Sequence, residues 1–235
     1  FKGTAHYFGQ GSGTSANLAD GTNPRYLQNQ FGFTLGGPIR RDRAFFFVAY
    51  DQQVFDQTKQ TLGNRIGSAP LRAWLDSANG GALRGDYRDI ARTNDAQVAL
   101  AKLDVRLSDN HQATLKYNFT NASQRNGTFD VDVWGRSANG LERSYSHAVN
   151  GALNSTFRRG LTNEFRFQVA REDRPRPYEG PINPATGRPF PDTGVDFAGF
   201  RFGQPFFLPV EAYDTRLQLL DNVSLVRGNH LLKFG

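Results

Sequence analysis

Hydrophobic and polar residues alternate with a period of two along much of this chain. Between His111 and Asn121 the even positions are all polar, whereas the odd positions are mostly apolar. Successive side chains of a β-strand point to opposite faces, so this pattern predicts a strand with one apolar and one polar face. Residues 99–107 alternate in the same way. The segment Ser108-Asp109-Asn110 between the two runs is rich in turn residues and predicts a hairpin.

The same pattern recurs along the chain and predicts an all-β protein with about nine strands. Their approximate ranges are 1–8, 29–36, 43–55, 94–107, 111–121, 142–157, 162–173, 211–226 and 230–235. Short turns and long loops alternate between these strands. The short turns lie near 37–42, 108–110, 158–161 and 227–229, and the long loops near 9–28, 56–93, 122–141 and 174–210.

Tight turns on one side and extended loops on the other are typical of transmembrane β-barrels of bacterial outer membranes. We therefore predict an antiparallel β-barrel with periplasmic turns and extracellular loops. In the best-defined hairpin, one face meets lipid and the other faces the lumen. The predicted lipid-facing residues are Leu103, Leu115 and Tyr117, and the lumen-facing ones are Lys102, Asp104 and Lys116.

The long loops differ in composition. Loop 9–28 is rich in Gly, Ser and Asn and is expected to be mobile. In the second loop, Pro70 begins a predicted helix that Gly80-Gly81 ends, with Leu71, Trp74 and Leu75 on one face. Loop 174–210 contains eight of the eleven prolines. Proline lacks the N–H that a central strand needs, so we expect no further strand in this loop.

The segment FGFTLGGPIRRDRAFFFVAY, residues 31–50, joins two strands through a polar turn. Pro38 is expected to end the first strand. In the second strand Phe46 lies on one face, and Phe45 and Phe47 lie on the other. We place these three rings in the aromatic girdle at the water–lipid boundary, where inward rings can pack on material in the lumen.

This segment also resembles a known family. NQFGFTLGGPIRRDRAFFFVAYD is similar to a segment of Oar-like TonB-dependent receptors. The matching residues are Asn29, Phe31, Gly32, Leu35, Gly36, Gly37, Pro38, Ile39, Asp42, Arg43, Phe45, Phe46, Phe47 and Tyr50. FKGTAHYF, KLDVRLSDNHQATLKYNFT and LLDNVSLVRGNHLLKFG resemble further strands of that family.

The resemblance implies a 22-stranded outer-membrane barrel that is closed by a plug and driven by the TonB complex. The plug and the TonB box are then expected before residue 1. The chain contains no methionine and both of its ends lie in predicted strands. We therefore expect residues 1–235 to be the N-terminal part of a larger barrel.

Composition is consistent with a barrel. Apolar residues make up 38% of the chain, which is low for a globular domain, yet aromatic residues reach 13% and include 20 phenylalanines. There is no apolar run of 18 residues, which excludes a transmembrane helix. Cysteine is absent, which excludes disulfides and thiolate chemistry. The net charge of +6 is spread along the chain without a basic run, so nucleic acid is not an expected partner.

No catalytic, cofactor or metal site is predicted. Asp192-Thr193-Gly194 matches the triplet of aspartic proteases but lacks the apolar strand that delivers it. Gly9, Gly11 and Gly13 lack the helix that a phosphate-binding loop requires. Asp130-Val131-Asp132 lacks the further ligands of a calcium loop. The four histidines show no metal-binding spacing. We interpret all of these as ordinary loop or strand residues.

The predicted function is that of an outer-membrane receptor that imports an external solute, and not that of an enzyme. The expected partners are membrane lipid, the TonB complex and a solute. The candidate ligand-contact residues in the long loops are Trp74, Trp134, Tyr178, Phe200 and Arg201. Two alternatives remain at this point: a small complete barrel acting as a porin or anchor, and a soluble all-β ligand-binding domain.

Overall fold

The computed structural model describes residues 1–19, 21–59, 69–127, 133–197 and 199–235, with the backbone alone at residue 159. Eleven strands and one α-helix are found in this part of the chain. The strands are β1 (Lys2–Gly11), β2 (Tyr26–Arg40), β3 (Ala44–Lys59), β4 (Ile90–Ser108), β5 (His111–Arg125), β6 (Leu141–Thr156), β7 (Leu161–Asp173), β8 (Val195–Phe197), β9 (Phe200–Phe202), β10 (Tyr213–Arg227) and β11 (His230–Phe234). The helix is α1 (Ala69–Gly81), and three short 3-10 turns lie at Ser12–Thr14, Arg136–Ala138 and Arg158–Gly160. Within the described residues, no helix combines the length and hydrophobicity needed to cross a bilayer.

Nine of the strands form one antiparallel sheet in the order β1-β2-β3-β4-β5-β6-β7-β10-β11. Each strand pairs with the next one along the sheet, so the chain forms a meander. This confirms the all-β fold and the nine predicted strands. Residues 28–50, which carry the family resemblance, form the β2–β3 hairpin.

Several strands are longer than predicted at the long-loop end. For example, β3 continues to Lys59 and β4 already begins at Ile90, because these residues pair with each other. Gly9 and Gly11, expected in a mobile loop, lie in β1 and pair with β2.

The prediction that Pro38 ends its strand is wrong. Strand β2 continues to Arg40, and its pairing with β3 shifts between Pro38 and Arg40. Strand β1 reaches only Gly36 in the pairing, so Pro38 has a strand neighbour on one side only. Proline is tolerated at a bulge and where a strand has one partner, because no ladder hydrogen bond is lost there.

The prediction of no strand within 174–210 is also wrong. Strands β8 and β9 form a separate two-stranded hairpin in this loop. The prolines flank the hairpin at Pro191 and Pro205, and residues 192–204 contain none. The prediction failed because it used the proline content of the whole loop, although residues 192–204 lack proline and can form paired strands.

The register of the sheet separates an apolar face from a polar face. Phe46, Leu103 and Leu115 lie side by side on three strands, and the row continues through Gly151, Phe167 and Leu219. The next row, on the opposite face, contains Phe47, Lys102, Lys116, Asn150, Gln168 and Gln218. Phe46 and Phe47 therefore lie on opposite faces, as predicted, and the register places Phe46 on the apolar one.

The two faces differ in exposure. In β2, Phe31, Phe33 and Leu35 on the apolar face are exposed, whereas Gly32 and Thr34 between them are buried or half-buried. Side chains converge on the concave side of a curved sheet and spread on its convex side. The exposure pattern therefore indicates that the apolar face is the outer one, as in a membrane barrel.

The sheet has two free edges. Within the described residues, β1 pairs only with β2, and β11 pairs only with β10. All residues of β11, and all but the last of β1, are exposed. The backbone N–H and C=O groups on the outer sides of these strands are thus available for further strand pairing.

Candidate functional site

Three long connections of the meander pack together at one end of the sheet. They join β3 to β4, β5 to β6 and β7 to β10. We call their packed part, residues 69–89, 133–140 and 190–208, the loop assembly. Because consecutive strands run antiparallel, all three connections leave the sheet at the same end, and this places residues distant in sequence in contact.

A small hydrophobic core holds the loop assembly together. Leu75 of α1 and Leu83 are fully buried against Phe200 and Phe202 of β9. Helix α1 confirms the predicted helix, with Leu71 and Leu75 on its packed face. Positive φ angles at residues 79–81 end it, as the glycines there suggested.

A chain of buried hydrogen bonds links all three connections. The backbone N–H and the hydroxyl of Ser137 both donate to the carboxyl group of Asp86, each at 2.7 Å. The N–H of Gly203 donates to the Ser137 hydroxyl oxygen at 2.8 Å. Asp86 and Ser137 are completely buried. The two bonds to Asp86 join the first connection to the second, and the bond from Gly203 joins the second to the third, so together they fix the relative positions of all three.

Gly135 permits the close approach of these groups. A Cβ atom at this position would lie 2.4 Å from Oδ2 of Asp86 and 2.6 Å from Cζ of Phe200. Any side chain at residue 135 would therefore separate the first connection from the second. The burial that results raises the pKa of Asp86, although the two hydrogen bonds from Ser137 and the nearby Arg136 guanidinium oppose this rise.

An aromatic and cationic group lies on the β8–β9 hairpin. Arg201 binds Asp196 across the hairpin through Nε at 2.9 Å, and this guanidinium lowers the pKa of Asp196. The same guanidinium carbon lies 5.2 Å from the centre of the Trp134 ring, which is the geometry of a cation–π contact. Two backbone hydrogen bonds also join residues 133–135 to Arg201.

The aromatic group continues to the surface. The Trp134 ring stacks on Phe207 at 5.9 Å, and Phe207 contacts Phe206 edge to face at 5.3 Å. Phe206 has an exposed fraction of 94%. A protruding aromatic ring on a fixed base is suited to contact with a ligand, because it adds contact area at a low entropic cost.

A shallow apolar groove of about 470 Å³ also lies in the loop assembly. Its lining residues are Leu71, Trp74, Phe190, Pro191, Val195 and Phe202. Trp74 is 44% exposed and contacts the ring of Phe202 at 5.8 Å. Such a surface favours an apolar or aromatic part of a ligand.

The structure brings most of the five candidate ligand-contact residues into the loop assembly. Trp134 and Arg201 are in direct contact. Trp74 and Phe200 each contact the ring of Phe202. Phe200 is 1% exposed, so its ring packs the core and does not reach the surface.

Tyr178, the fifth candidate, lies near the assembly and pairs with Gly140 through the backbone. Its buried hydroxyl has no hydrogen-bond partner within the described part of the chain. Burial and the charge of Asp86 both raise the pKa of this hydroxyl.

Sequence reasoning missed the residues that organise the assembly, above all Asp86 and Ser137. Neither belongs to a motif, since their partnership depends on the packing of separate loops. The position of Phe202 in a strand could have been predicted from the sequence. The apolar residues at 195, 197, 200 and 202 lie on both sides of Gly199 with the spacing of a hairpin.

The remaining motifs of the sequence have structural partners or lie outside the described residues. Asp192 forms an exposed ion pair with Arg188 at 2.9 Å. Asp130-Val131-Asp132 lies outside the residues that the structure describes. Across the described ranges, no group of three or more His, Cys, Asp or Glu residues is placed to bind a metal ion.

Comparison with protein families identifies a family to which the whole chain is similar. A family model described as an outer membrane beta barrel domain matches residues 1–74 and 64–235, which together cover the chain. Comparison with curated proteins and with solved structures finds no significant match.

Proposed function

Because the chain belongs to the outer membrane beta barrel domain family, we propose that it is part of a TonB-dependent receptor that imports an external solute. The family places the protein in the outer membrane, with lipid around its apolar face. The observation that carries the proposal is the loop assembly, which presents Phe206, Trp74 and the Trp134–Arg201 pair on a fixed base at one end of the sheet. Energy coupling is supported by the resemblance of residues 28–50 to Oar-like receptors.

In this proposal the solute binds at the loop assembly from outside the cell. Aromatic rings offer stacking and apolar contact, and the nearby Arg201 offers a cation. The polar face of the sheet then lines the path inward, and further strands pair with β1 and β11 to close the barrel around it. A closed sheet is required because unpaired backbone groups are not tolerated against hydrocarbon.

An uptake experiment tests the proposal. The gene for the full-length protein is deleted in the source bacterium, and solutes that then remain in the medium are identified by mass spectrometry. Uptake of the identified solute is measured with the wild-type gene restored, with and without a protonophore. We expect uptake that depends on the gene and stops with the protonophore, because TonB uses the proton gradient. Uptake that depends on the gene but continues without the gradient would identify a passive porin.

Loop variants locate the binding site in the same assay. Trp134→Ala combined with Arg201→Ala is expected to weaken binding of the solute to purified protein and to slow uptake at low concentration. Arg188→Gln with Asp192→Asn is the control, because this exposed ion pair lies in the same connection and touches none of the proposed contact residues. Equal loss in both variants would contradict the location of the site.

A further inference from the structure

Arginine residues collect at the end of the sheet that carries the short turns. The turns and the residues beside them, 37–44, 105–112, 157–162 and 226–231, contain seven arginines and two aspartates. Seven minus two is five, so five of the six net positive charges of the chain lie at this end.

Most of these arginines lack an acidic partner within the described residues. Within the described residues, none of Arg40, Arg41, Arg43, Arg158 and Arg227 forms an ion pair or a side-chain hydrogen bond, and all are exposed. Arg106 is paired with Asp109 at 3.2 Å. We call these six residues the arginine rim. At the long-loop end, by contrast, ion pairs bind Arg125 to Glu179, Arg171 to Asp173, Arg174 to Asp214, Arg176 to Glu142, Arg188 to Asp192 and Arg201 to Asp196.

Each turn also places a large apolar side chain next to its arginine. Ile39 beside Arg40 is 64% exposed, and Leu107 beside Arg106 is 60% exposed. Phe157 precedes Arg158 and Val226 precedes Arg227, and both are exposed. An apolar side chain adjoining a long cationic one is typical of the membrane interface, where the first enters hydrocarbon and the second reaches the headgroups.

The first two turns enclose a space of suitable size for a headgroup. A cavity of about 320 Å³ lies between them and is lined by Arg40, Arg41, Asp42, Arg43, Arg106, Leu107, Ser108 and Asp109. The N–H of Arg106 donates to the carbonyl oxygen of Arg43 at 2.7 Å, which joins the two turns. Four guanidinium groups therefore line one space on a fixed backbone, and guanidinium matches the geometry of phosphate oxygens.

We propose that the arginine rim binds the phosphate groups of anionic phospholipids in the leaflet around the short turns. In an outer-membrane barrel this is the periplasmic leaflet. The apolar neighbours of the arginines favour lipid over an acidic protein, because they extend the lipid-facing surface up to the cations. The distribution over four turns also favours many separate lipid molecules over one bound anion. The proposal rests on the membrane location and not on the imported solute.

Spin-labelled lipids test the proposal with the full-length protein in phosphatidylcholine vesicles. The fraction of label immobilised at the protein is compared for phosphatidylglycerol and phosphatidylcholine. We expect wild-type protein to prefer phosphatidylglycerol, by about fivefold for a lipid held by one arginine. The preference should fall as salt is raised.

Two charge-matched variants separate the rim from general charge. The rim variant combines Arg40→Gln, Arg41→Gln, Arg43→Gln and Arg158→Gln, and the control combines Arg125→Gln, Arg174→Gln, Arg176→Gln and Arg188→Gln. Both lose four positive charges. We expect the preference to vanish in the rim variant and to persist in the control. The corresponding Arg→Lys rim variant should retain most of it, because the charge remains.

Three outcomes would overturn the proposal. One is a wild-type protein without preference for phosphatidylglycerol, and another is an equal loss in the rim variant and the control. The third is loss of the preference on adding inorganic phosphate but not chloride at the same ionic strength, which would make the rim a site for free phosphate. Folding of every variant is checked by heat-dependent migration in gels. If the combined rim variant does not fold, the single Arg40→Gln and Arg158→Gln variants must each show a partial loss.

Discussion

Residue by residue, the apolar face explains which substitutions the sheet tolerates. Leu115 is 46% exposed on this face, and its neighbours in the register are Leu103 and Gly151. Lys116, the next residue, lies on the polar face beside Lys102 and Asn150. Two adjacent positions of one strand therefore meet lipid and water respectively.

We predict that Leu115→Arg destabilises the protein folded in lipid vesicles by about 2–4 kcal/mol if the residue is near the bilayer midplane. The cause is the transfer of a charge into hydrocarbon. Lys116→Arg is the control and should have little effect, because it keeps the charge on the polar face. Folding yields measured against urea concentration give both values. Equal effects would contradict the assignment of the two faces.

Asp221 interrupts the apolar face of β10, on which Leu217, Leu219 and Val223 lie. It accepts a hydrogen bond from Nδ2 of Asn163 at 2.5 Å on the same face. In the next row of that face, Asn163 is opposite Ser155, which bonds to His111 at 2.8 Å. Asp221 thus belongs to a small polar group within the apolar face, which continues beyond it toward the short turn at Leu225 and Leu232.

The buried carboxyl group of Asp86 predicts a pH dependence of the loop assembly. Its pKa is raised when the loops are packed, so the packed state holds the proton more tightly than the open state. The stabilisation from this proton is complete below the ordinary carboxyl pKa and is lost as the pH rises through the raised pKa. The slope in this window is at most about 1.4 kcal/mol per pH unit for one group.

The measurement uses protease sensitivity of the loops and the fluorescence of Trp74 and Trp134, the two tryptophans of the chain. Wild-type loops should open more easily as the pH rises through the window, whereas the Asp86→Asn variant should show no such dependence. Ser137→Ala should shift the dependence to higher pH, because its hydroxyl stabilises the ionised carboxyl group. An unchanged profile in Asp86→Asn would show that another group is responsible.

Among the elements, the lengths of the connections set the sidedness of the molecule. Short turns follow β2, β4, β6 and β10, and long connections follow β1, β3, β5 and β7. In barrels of this class the short turns face the periplasm. In this orientation the loop assembly is on the extracellular side of the outer membrane and the arginine rim is on the periplasmic side.

Cysteine labelling tests this orientation, and the absence of natural cysteines from the chain gives a clean background. Thr193→Cys in the loop assembly should react with a membrane-impermeant thiol reagent in intact cells. Asn110→Cys in the β4–β5 turn should react only after the outer membrane is permeabilised. Both positions are exposed, so accessibility within the protein does not limit labelling. Labelling of Asn110→Cys alone in intact cells would reverse the topology.

For the molecule as a whole, the two free edges of the sheet determine whether it can span a membrane by itself. Strands β1 and β11 do not pair with each other, and each has one partner within the described sheet. Backbone groups without partners are not tolerated against hydrocarbon. In a membrane, both edges therefore need strand partners, and exposed edges favour association with other chains.

We predict that residues 1–235 expressed alone do not insert as a functional barrel. The purified chain should aggregate or require detergent, and it should give no steady conductance in planar bilayers. If residues 1–235 belong to a larger barrel, as proposed above, that larger protein treated in the same way should form a heat-resistant monomer. A heat-resistant, conducting monomer from residues 1–235 would favour the alternative of a small complete barrel.

The alternation of apolar and polar residues along the chain was sufficient to predict the nine strands of the large sheet. The strands at 111–121 and 162–173 could be predicted because membrane and lumen impose opposite demands on neighbouring side chains. Helix α1 could be predicted from local signals, namely Pro70 at its start and glycines at its end. These features depend on residues within a few positions of one another.

The loop assembly, by contrast, was decided by the tertiary structure. Asp86 and Ser137 are 51 residues apart and carry no local signal, yet they meet because the meander returns their connections to one end of the sheet. The burial of Phe200 and the contact of Arg201 with Trp134 follow from the same packing. A period-two pattern reports which face of a strand meets water. It holds no information on which distant loops touch, since that depends on how the whole sheet brings their ends together.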